Sequence, residues 1–300
     1  MSEFFQHLIN GISMGAIYAL VALGYTMVYG ILQFINFAHA DIYMVGAFVA
    51  FFSARFFQLS EHPHWSWLFI ILAISTAACA LLGFAIEKIA YRPLRKSPKL
   101  NILITAIGVS LFLEYAGQIV FGVDPKLFPP LMPESTLFSI GGVDVMSLDV
   151  IILGISVFSM IGLHWLVYHS KLGKAMRAVS QNSTVAAMLG IHIDRVISFT
   201  FIVGSALAGI AAILVGMRYP KIEPMMGMLM GTKAFVAAVL GGIGSLPGAV
   251  LGGMIMGLSE EMVVGYLEST YRDALSFGIL IIILIFKPTG LLGSRKVEKV

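Results

Sequence analysis

Eight long apolar runs, separated by short polar stretches, dominate this 300-residue sequence. They cover residues 8–30, 36–57, 67–91, 100–121, 148–168, 196–216, 232–264 and 274–286. Most of them approach about 20 residues, the length at which a helix crosses the hydrocarbon core of a bilayer. Charged residues make up only 12% of the chain, roughly half the share found in soluble domains. We therefore expect one all-α domain over residues 1–300: a polytopic transmembrane helix bundle of about eight to nine membrane segments.

The charged residues lie between these runs, and their signs differ from one connection to the next. Connections 92–99, 169–195 and 287–300 hold 12 of the 19 lysine and arginine residues, and basic connections stay on the cytoplasmic side. Connections 58–66 and 122–147 carry acids such as Glu61 and Asp124 instead. The pattern predicts an external N-terminus and a cytoplasmic C-terminus. Because the net charge of +3 reflects this placement, it does not indicate a nucleic-acid partner.

The first run is expected to remain in the membrane, because residues 1–7 lack the basic start of a cleavable signal. The seventh run, 232–264, cannot cross the membrane only once, since the basic end of the chain would then lie outside. It must cross twice, or enter and return on the same side. Its turn is expected within Gly241–Gly248, because glycine and proline interrupt helices. Backbone freed in this way survives at membrane depth only inside protein or beside water, so Gly241, Gly242 and Gly244 are candidates for the translocation path.

Polar side chains inside the apolar runs are further candidates for that path, because a charge in lipid is costly. Asn36, His39 and Asp41 follow the short junction between the first two runs. His39 and Asp41 are two residues apart, so they point about 200° apart on a helix and only one is expected to face the path. The alternative is an ordinary helix start with Asp41 in its first turn. Glu114 lies in the middle of its run, where it either lines a polar path or pairs with another helix.

Lys233 opens the glycine-rich segment, where it either meets a substrate carboxylate or extends to the lipid headgroups. Glu260 and Glu261, at the other end of the same run, are expected to be surface groups. Interrupted apolar runs near both ends of the chain are also what an inverted-repeat transporter would show, although the similarity between the two halves is weak. Glycines such as Gly253 and Gly257 favour close helix packing.

Connection 169–195 carries a short helix signature outside the apolar runs. Asn182 or Ser183 is expected as its N-cap, an Ala/Met/Leu stretch follows, and Gly190 ends it. Such a helix either docks on another protein or lies on the lipid headgroups.

The sequence contains no phosphate-binding loop of the G-x-x-x-x-G-K-[ST] type and no H-E-x-x-H motif. The string GISMG at 11–15 has the G-x-S-x-G spacing, but it lies inside the first apolar run and not at a strand-to-helix turn. We therefore expect no ATPase site, no metal site, no cofactor and no enzymatic activity of its own. Two transport hypotheses remain: a subunit driven by a separate ATPase, and a secondary transporter in which His39, Asp41 or Glu114 couples transport to an ion gradient.

Several strings, in this order and spacing, resemble the LivH-type permeases of high-affinity branched-chain amino-acid ABC importers. They are GYTMVYG at 24–30, INFAH at 35–39, AYRPL at 90–94, LGIHIDRV at 189–196, KAFVAAVLGGIGSLPGA at 233–249 and PTG at 288–290. The resemblance covers nearly the whole chain. It implies a multi-pass protein of the bacterial inner membrane that moves leucine, isoleucine or valine.

The resemblance also implies partners: a LivM-type second permease, two ATPase subunits of the LivG and LivF type, and a periplasmic leucine/isoleucine/valine-binding protein. Connection 169–195 would then be the coupling loop that docks on the ATPase, through a set of six residues: Arg177, Asn182, Ser183, Ala186, Gly190 and Ile191. The generic Glu-Ala-Ala pattern of such loops is met only in part, because Thr184 stands at the Glu position.

Overall fold

The computed structural model describes residues 2–59, 64–95 and 97–293. Its helices are α1 (Ser2–Leu32), α2 (Ala38–Phe56), α3 (Trp65–Ile86), α4 (Lys99–Phe121), α5 (Ser147–His169), α6 (Lys171–Gln181), α7 (Ser183–Met188), α8 (Ile193–Arg218), α9 (Met226–Gly241), α10 (Leu246–Tyr266) and α11 (Tyr271–Phe286). The charges predicted to mark topology at Glu61, Lys96, Arg295, Lys296, Glu298 and Lys299 lie outside the described residues.

Helix α3 continues through a π-helical turn, Glu87–Tyr91, and a 3₁₀ turn, Arg92–Leu94. Four short strands complete the described chain: β1 (Lys126–Leu127) pairs antiparallel with β4 (Lys221–Ile222), and β2 (Thr136–Ile140) pairs antiparallel with β3 (Val143–Met146). The predicted helix bundle is confirmed. Within the described residues, six helices are long and apolar enough to cross a membrane: α1, α3 with its extension, α4, α5, α8 and α10.

The centre of the bundle is formed by α1 and α8. In the most apolar 18-residue windows, 78% of α1 and 67% of α8 is buried, against 22–28% for α3, α4 and α5. A helix that is apolar all round and buried lies inside a membrane bundle, whereas α3, α4 and α5 expose an apolar face to lipid or to another chain. Among the six candidate spans, α1 and α8 are therefore the most enclosed by the rest of the bundle.

The α1–α10 contact depends on glycine, as the sequence indicated. A Cβ atom on Gly257 would lie 2.2 Å from the backbone nitrogen of Gly15, and one on Gly253 would lie 2.5 Å from that of Ala19. The two backbones can approach this closely only because neither glycine carries a side chain.

Replacing Gly257 with valine is therefore expected to force α1 and α10 apart. Overpacking of a tight contact costs about 1–3 kcal/mol, and we expect the upper end because backbone blocks the way. Thermal unfolding of the detergent-solubilised protein measures the loss. Gly278→Val in α11 is the control, because nothing lies within 4 Å of a Cβ at that position. Equal stability of the two variants would contradict the packing argument.

The bundle has two distinct ends. One end carries the β-hairpin formed by β2 and β3 and is called here the hairpin end. There, Gln6 of α1 accepts a hydrogen bond from the backbone N–H of Asp144 at 2.9 Å. At the α6–α7 end, residues 287–293 close over the break between α9 and α10: the N–H groups of Leu291 and Leu292 donate to the carbonyls of Leu240 and Gly241, both at 2.9 Å. The start of α1 and residues 287–293 therefore lie at opposite ends.

The seventh apolar run forms two helices, α9 and α10, which confirms the predicted interruption. The break comprises residues 242–245, and Gly242 and Gly244 have φ values of +105° and +95°, a backbone region that glycine alone enters readily. Gly241 packs directly on the backbone of Gly248. The helices thus run antiparallel from this tight turn, and the turn lies at the α6–α7 end of the bundle.

Candidate functional site

A cavity of about 380 Å³ lies between α1, α2, α4, α9 and α11. Its lining combines polar and apolar side chains. The lining residues are Tyr25, Phe37, Ala40, Asp41, Ile107, Ser110, Leu111, Glu114, Met228, Gly231, Thr232, Phe235 and Leu280. Asp41 and Glu114, two of the residues predicted for a translocation path, are thus brought together in this cavity by α2 and α4.

Asp41 reaches the cavity because α2 begins deep inside the bundle. The His39 ring packs against Gly24, which is eight residues, or about 12 Å, before the end of α1. Asp41 follows in the first turn of α2 and is only 3% exposed. Its Oδ2 accepts a hydrogen bond from Ser110 Oγ at 2.5 Å.

Glu114 lies on the inner face of α4 and is 8% exposed. Within the described residues its carboxylate has neither a hydrogen bond nor an ion pair, although it lines the cavity. Within the described residues, the Tyr25 hydroxyl likewise has no hydrogen-bond partner and lines the cavity, and Tyr25 is 6% exposed. A carboxylate and a hydroxyl that are withdrawn from bulk solvent and open to a cavity are suited to hold a polar ligand.

His39 and Asn36 face away from this cavity. The His39 ring packs edge-on against Tyr25 at a centroid distance of 4.8 Å, and Asn36 Oδ1 accepts a hydrogen bond from the Tyr91 hydroxyl at 2.6 Å. The expected divergence of His39 and Asp41 is thus present. These contacts fix the deep start of α2 against α1 and α3.

Gly241, Gly242 and Gly244 also lie apart from the cavity. Gly242 packs against Gly290 and Gly293, and Gly244 lies near Gly30 at the end of α1. Of the residues predicted for a path, Asp41 and Glu114 therefore lie beside the cavity, whereas these three glycines lie at the α6–α7 end.

Lys233 belongs to a buried charge cluster near the hairpin end. Its Nζ lies 3.2 Å from a carboxylate oxygen of Glu260 and 2.8 Å from Asp273. Arg272 approaches Glu260 at 3.2 Å and Glu261 at 2.6 Å. The expectation that Glu260 and Glu261 are surface groups is wrong, because they are 0% and 6% exposed.

The reason is that α1, α9 and α11 cover this face of α10. Lys233 lies nine residues before the break between α9 and α10, and Glu260 lies fifteen residues after it. The two positions are therefore offset by six residues, or about 9 Å, along the antiparallel helices, and the long lysine side chain spans this offset. Because the offset and the covering helices are set by packing, the place of Glu260 in the sequence did not reveal its burial.

A second ion network joins α3 to α8 at the α6–α7 end. Glu87, fully buried, accepts a hydrogen bond from Ser198 at 2.6 Å and pairs with Arg95. Arg95 also binds Asp194 at 2.5 Å, and Asp194 lies in the first turn of α8. Since α8 begins soon after α7, this network connects the exposed loop to the transmembrane core. Sequence reasoning did not single out Glu87.

The loop between α5 and α8 contains two helices. α7 has the predicted caps: Asn182 Oδ1 accepts from the Val185 N–H at 3.1 Å, and Gly190 has a φ of +83°. The N–H groups of Gly190 and Ile191 donate to the carbonyls of Ala187 and Ala186, the Schellman arrangement. Helix α6 was not predicted, although its buried Gly173, Met176 and Val179 recur at helical spacing.

The six residues predicted to dock on an ATPase occupy different environments. Asn182, Ser183 and Gly190 are exposed, and Ile191 is half-buried. Ala186 is 1% exposed and faces its own chain, and Arg177 donates to the carbonyl of Val167 and covers the Tyr168 ring.

Residues that sequence reasoning missed form the exposed apolar surface of this loop: Met188 is 80% exposed and Leu189 is 75% exposed. The sequence signal for them was the presence of two large apolar side chains in a short connection outside the apolar runs.

Residues 7–284 match the protein-family model described as "Branched-chain amino acid transport system / permease component". The chain belongs to this permease family. It is 41% identical over 302 residues to the high-affinity branched-chain amino acid transport system permease protein BraD of Pseudomonas aeruginosa, with 99% of this chain and 98% of BraD covered. It is 40% identical over 304 residues to LivH of Escherichia coli K12, with the same coverage.

The permease family also includes a more distant relative of this chain. LivM of Escherichia coli K12, another high-affinity branched-chain amino acid transport system permease protein, is 25% identical over 307 residues, which cover 92% of this chain and 68% of LivM. The family resemblance expected from the sequence is confirmed. Relatives in this permease family are named as transport proteins, and those names describe no enzymatic activity.

Proposed function

We propose that this chain is the permease subunit of an ABC importer that moves leucine, isoleucine and valine across a bacterial inner membrane. The observation that carries the proposal is the similarity to BraD and LivH at 40–41% identity over nearly the whole chain. A periplasmic binding protein delivers the amino acid, and two separate ATPase subunits supply the energy. The similarity to LivM supports a LivM-type second permease as the membrane partner.

In this proposal, movement driven by the ATPase enters the permease at the α6–α7 end and reaches the transmembrane helices through hydrogen bonds. The ATPase docks on the exposed surface of α7, and the connection from Asp194 through Arg95 to Glu87 passes movement of α7 to α3. Arg177 passes it to the end of α5 through the carbonyl of Val167. Each link is a charge-assisted hydrogen bond, which resists stretching more than a neutral one.

The experiment that tests this function is uptake of labelled leucine into liposomes. Uptake should require this chain, a second permease, the ATPase subunits and the binding protein. It should also require ATP on the side of the membrane where the ATPase subunits lie. Omission of the ATPases should abolish it. Uptake by this chain alone, driven by an ion gradient without ATP, would overturn the proposal and favour the secondary transporter.

We propose that the α6–α7 end is cytoplasmic and the hairpin end periplasmic, which places the N-terminus outside and the C-terminus inside. A reporter fused after Ser97 should then be active only in the cytoplasm, and one fused after Pro130 only in the periplasm. The basic residues of connections 92–99 and 169–195 support this orientation. The reverse pattern of reporter activity would overturn it.

A further inference from the structure

Among its described lining residues, the cavity between α2 and α4 contains two carboxylates and no cationic side chain. Asp41 and Glu114 come from different helices and line the same space. In the described residues, no lysine, arginine or histidine lies within ion-pair distance of either. Lys233, next in sequence to the lining residue Thr232, is already paired with Glu260 and Asp273. A buried carboxylate without a counter-charge is costly inside a membrane protein.

A third polar group, from a different helix, completes the polar wall. The Tyr25 hydroxyl of α1 has no hydrogen-bond partner in the described part of the chain and opens into the cavity. Gly231 keeps the space beside it free, because a Cβ there would lie 3.0 Å from the hydroxyl oxygen and 2.3 Å from the Cβ of Ala40. The wall thus offers two acceptors for a cation and one donor for an anion.

Five apolar side chains, called here the apolar wall, make up much of the remaining lining: Phe37, Ile107, Leu111, Phe235 and Leu280. Ile107 and Leu111 are also partly exposed on the surface of the bundle, at 44% and 47%. An inorganic cation is a poor match to these side chains, since it prefers a shell of oxygen ligands. A primary ammonium attached to an aliphatic chain matches the whole lining, because its charge meets the carboxylates while its hydrocarbon meets the apolar residues.

We infer that this cavity is a binding site for the ammonium group of an aliphatic amino acid in transit, with Asp41 and Glu114 as the ammonium acceptors. The Tyr25 hydroxyl donates to the amino-acid carboxylate, and the apolar wall holds the side chain. The inference rests on the proposed function, since it assigns a binding site inside the permease to the proposed substrate. Selectivity for the zwitterion would then be exerted a second time, after delivery by the binding protein.

Carbodiimide labelling tests the site without altering the protein. The complete transporter is treated with dicyclohexylcarbodiimide, which modifies buried carboxyl groups, and the labelled peptides are counted by mass spectrometry. Leucine and 3-methylbutylamine, which keep the ammonium, should protect Asp41 and Glu114 from labelling. 4-Methylpentanoate, which lacks it, should not. Glu87, a buried carboxylate outside this cavity, serves as the internal control, because any labelling of it should be the same with and without each compound.

Equal labelling of Glu114 with and without saturating leucine would overturn the inference. Protection by 4-methylpentanoate as strong as that by the amine would also overturn the inference, because protection would then not depend on an ammonium group bound to the carboxylates. This experiment needs no transport, so it decides the site even if leucine uptake is absent.

Charge-neutral variants supply a second test. Glu114→Gln and Asp41→Asn keep the shape of the side chain, and each should lower ATP-driven leucine uptake about ten-fold or more, the usual effect of losing one charge-assisted hydrogen bond. Co-purification of the ATPases should remain within about two-fold of the wild-type level, which shows that the variants fold and assemble. Glu223→Gln, the matched control, should transport normally.

Wild-type uptake by the Glu114→Gln variant would overturn the ammonium site and leave the proposed function standing. Absence of ATP-dependent leucine uptake by the unaltered transporter would instead overturn the proposed function. The labelling experiment would then still test whether the cavity binds an ammonium group. The two failures are therefore distinguishable.

Discussion

Replacement of Glu260 by alanine is expected to lower the free energy of unfolding by about 3–5 kcal/mol, because removal of one partner leaves buried charges unpaired. Glu260 is 0% exposed. It accepts hydrogen bonds from the Tyr18 hydroxyl at 2.7 Å and from Ser276 at 2.6 Å, and it lies 3.2 Å from both Lys233 and Arg272. Three helices, α1, α9 and α11, therefore lose a common partner on α10 at once.

Thermal and denaturant unfolding of the detergent-solubilised protein measures this loss. Glu268→Ala is the matched control, since Glu268 is an exposed acid just beyond the same helix and should change stability by less than about 0.5 kcal/mol. Glu260→Gln should fall between the two, because the amide retains an acceptor for Tyr18 or Ser276 but cannot balance the two cations. If Glu260→Ala proved as stable as Glu268→Ala, the cluster would have no structural role.

The double variant Met188→Glu/Leu189→Glu is expected to reduce ATPase co-purification at least about ten-fold while the permease stays folded. Both side chains are largely exposed, so a carboxylate there remains solvated in the free permease but would be buried without a partner in the docked complex. Loss of one apolar contact of this kind at an interface centre costs about 2 kcal/mol or more. Pull-down of the ATPase by the tagged permease measures it.

Two further substitutions make this result specific. Leu172→Glu, at a half-exposed apolar position of α6, should leave co-purification near the wild-type level. Ala186→Glu should instead destabilise the permease itself, because Ala186 is buried against its own chain. Undiminished co-purification of the Met188/Leu189 double variant would exclude the exposed surface of α7 as the docking site.

Those elements that depend on local pattern were predictable from the sequence. Apolar length predicted the membrane helices, the parity of basic connections predicted the interruption of run 232–264, and capping residues predicted both ends of α7. Each of these signals lies within one stretch of chain. The position of Gly190 illustrates the point, since its left-handed backbone is required by the helix end that it forms.

The remaining features depend on packing between distant segments. The cavity joins residues as far apart as Tyr25 and Leu280, and no local pattern states that α2 begins deep enough to bring Asp41 opposite Glu114. Glu260 was misjudged for the same reason, because its burial depends on α11 covering α10. Strands β2 and β3 are stabilised by pairing with each other rather than by an apolar run, so hydropathy did not reveal them.

Residues 287–293 also bear on the order in which the molecule folds. The carbonyls of Leu240 and Gly241 at the α9–α10 turn receive their hydrogen bonds from Leu291 and Leu292, which are synthesised about fifty residues later. Because a chain folds from its N-terminal side as it is made, this hairpin enters the bundle with its turn incompletely bonded. Folding of the turn against the end of α1 is therefore completed only after Leu291 and Leu292 have left the ribosome.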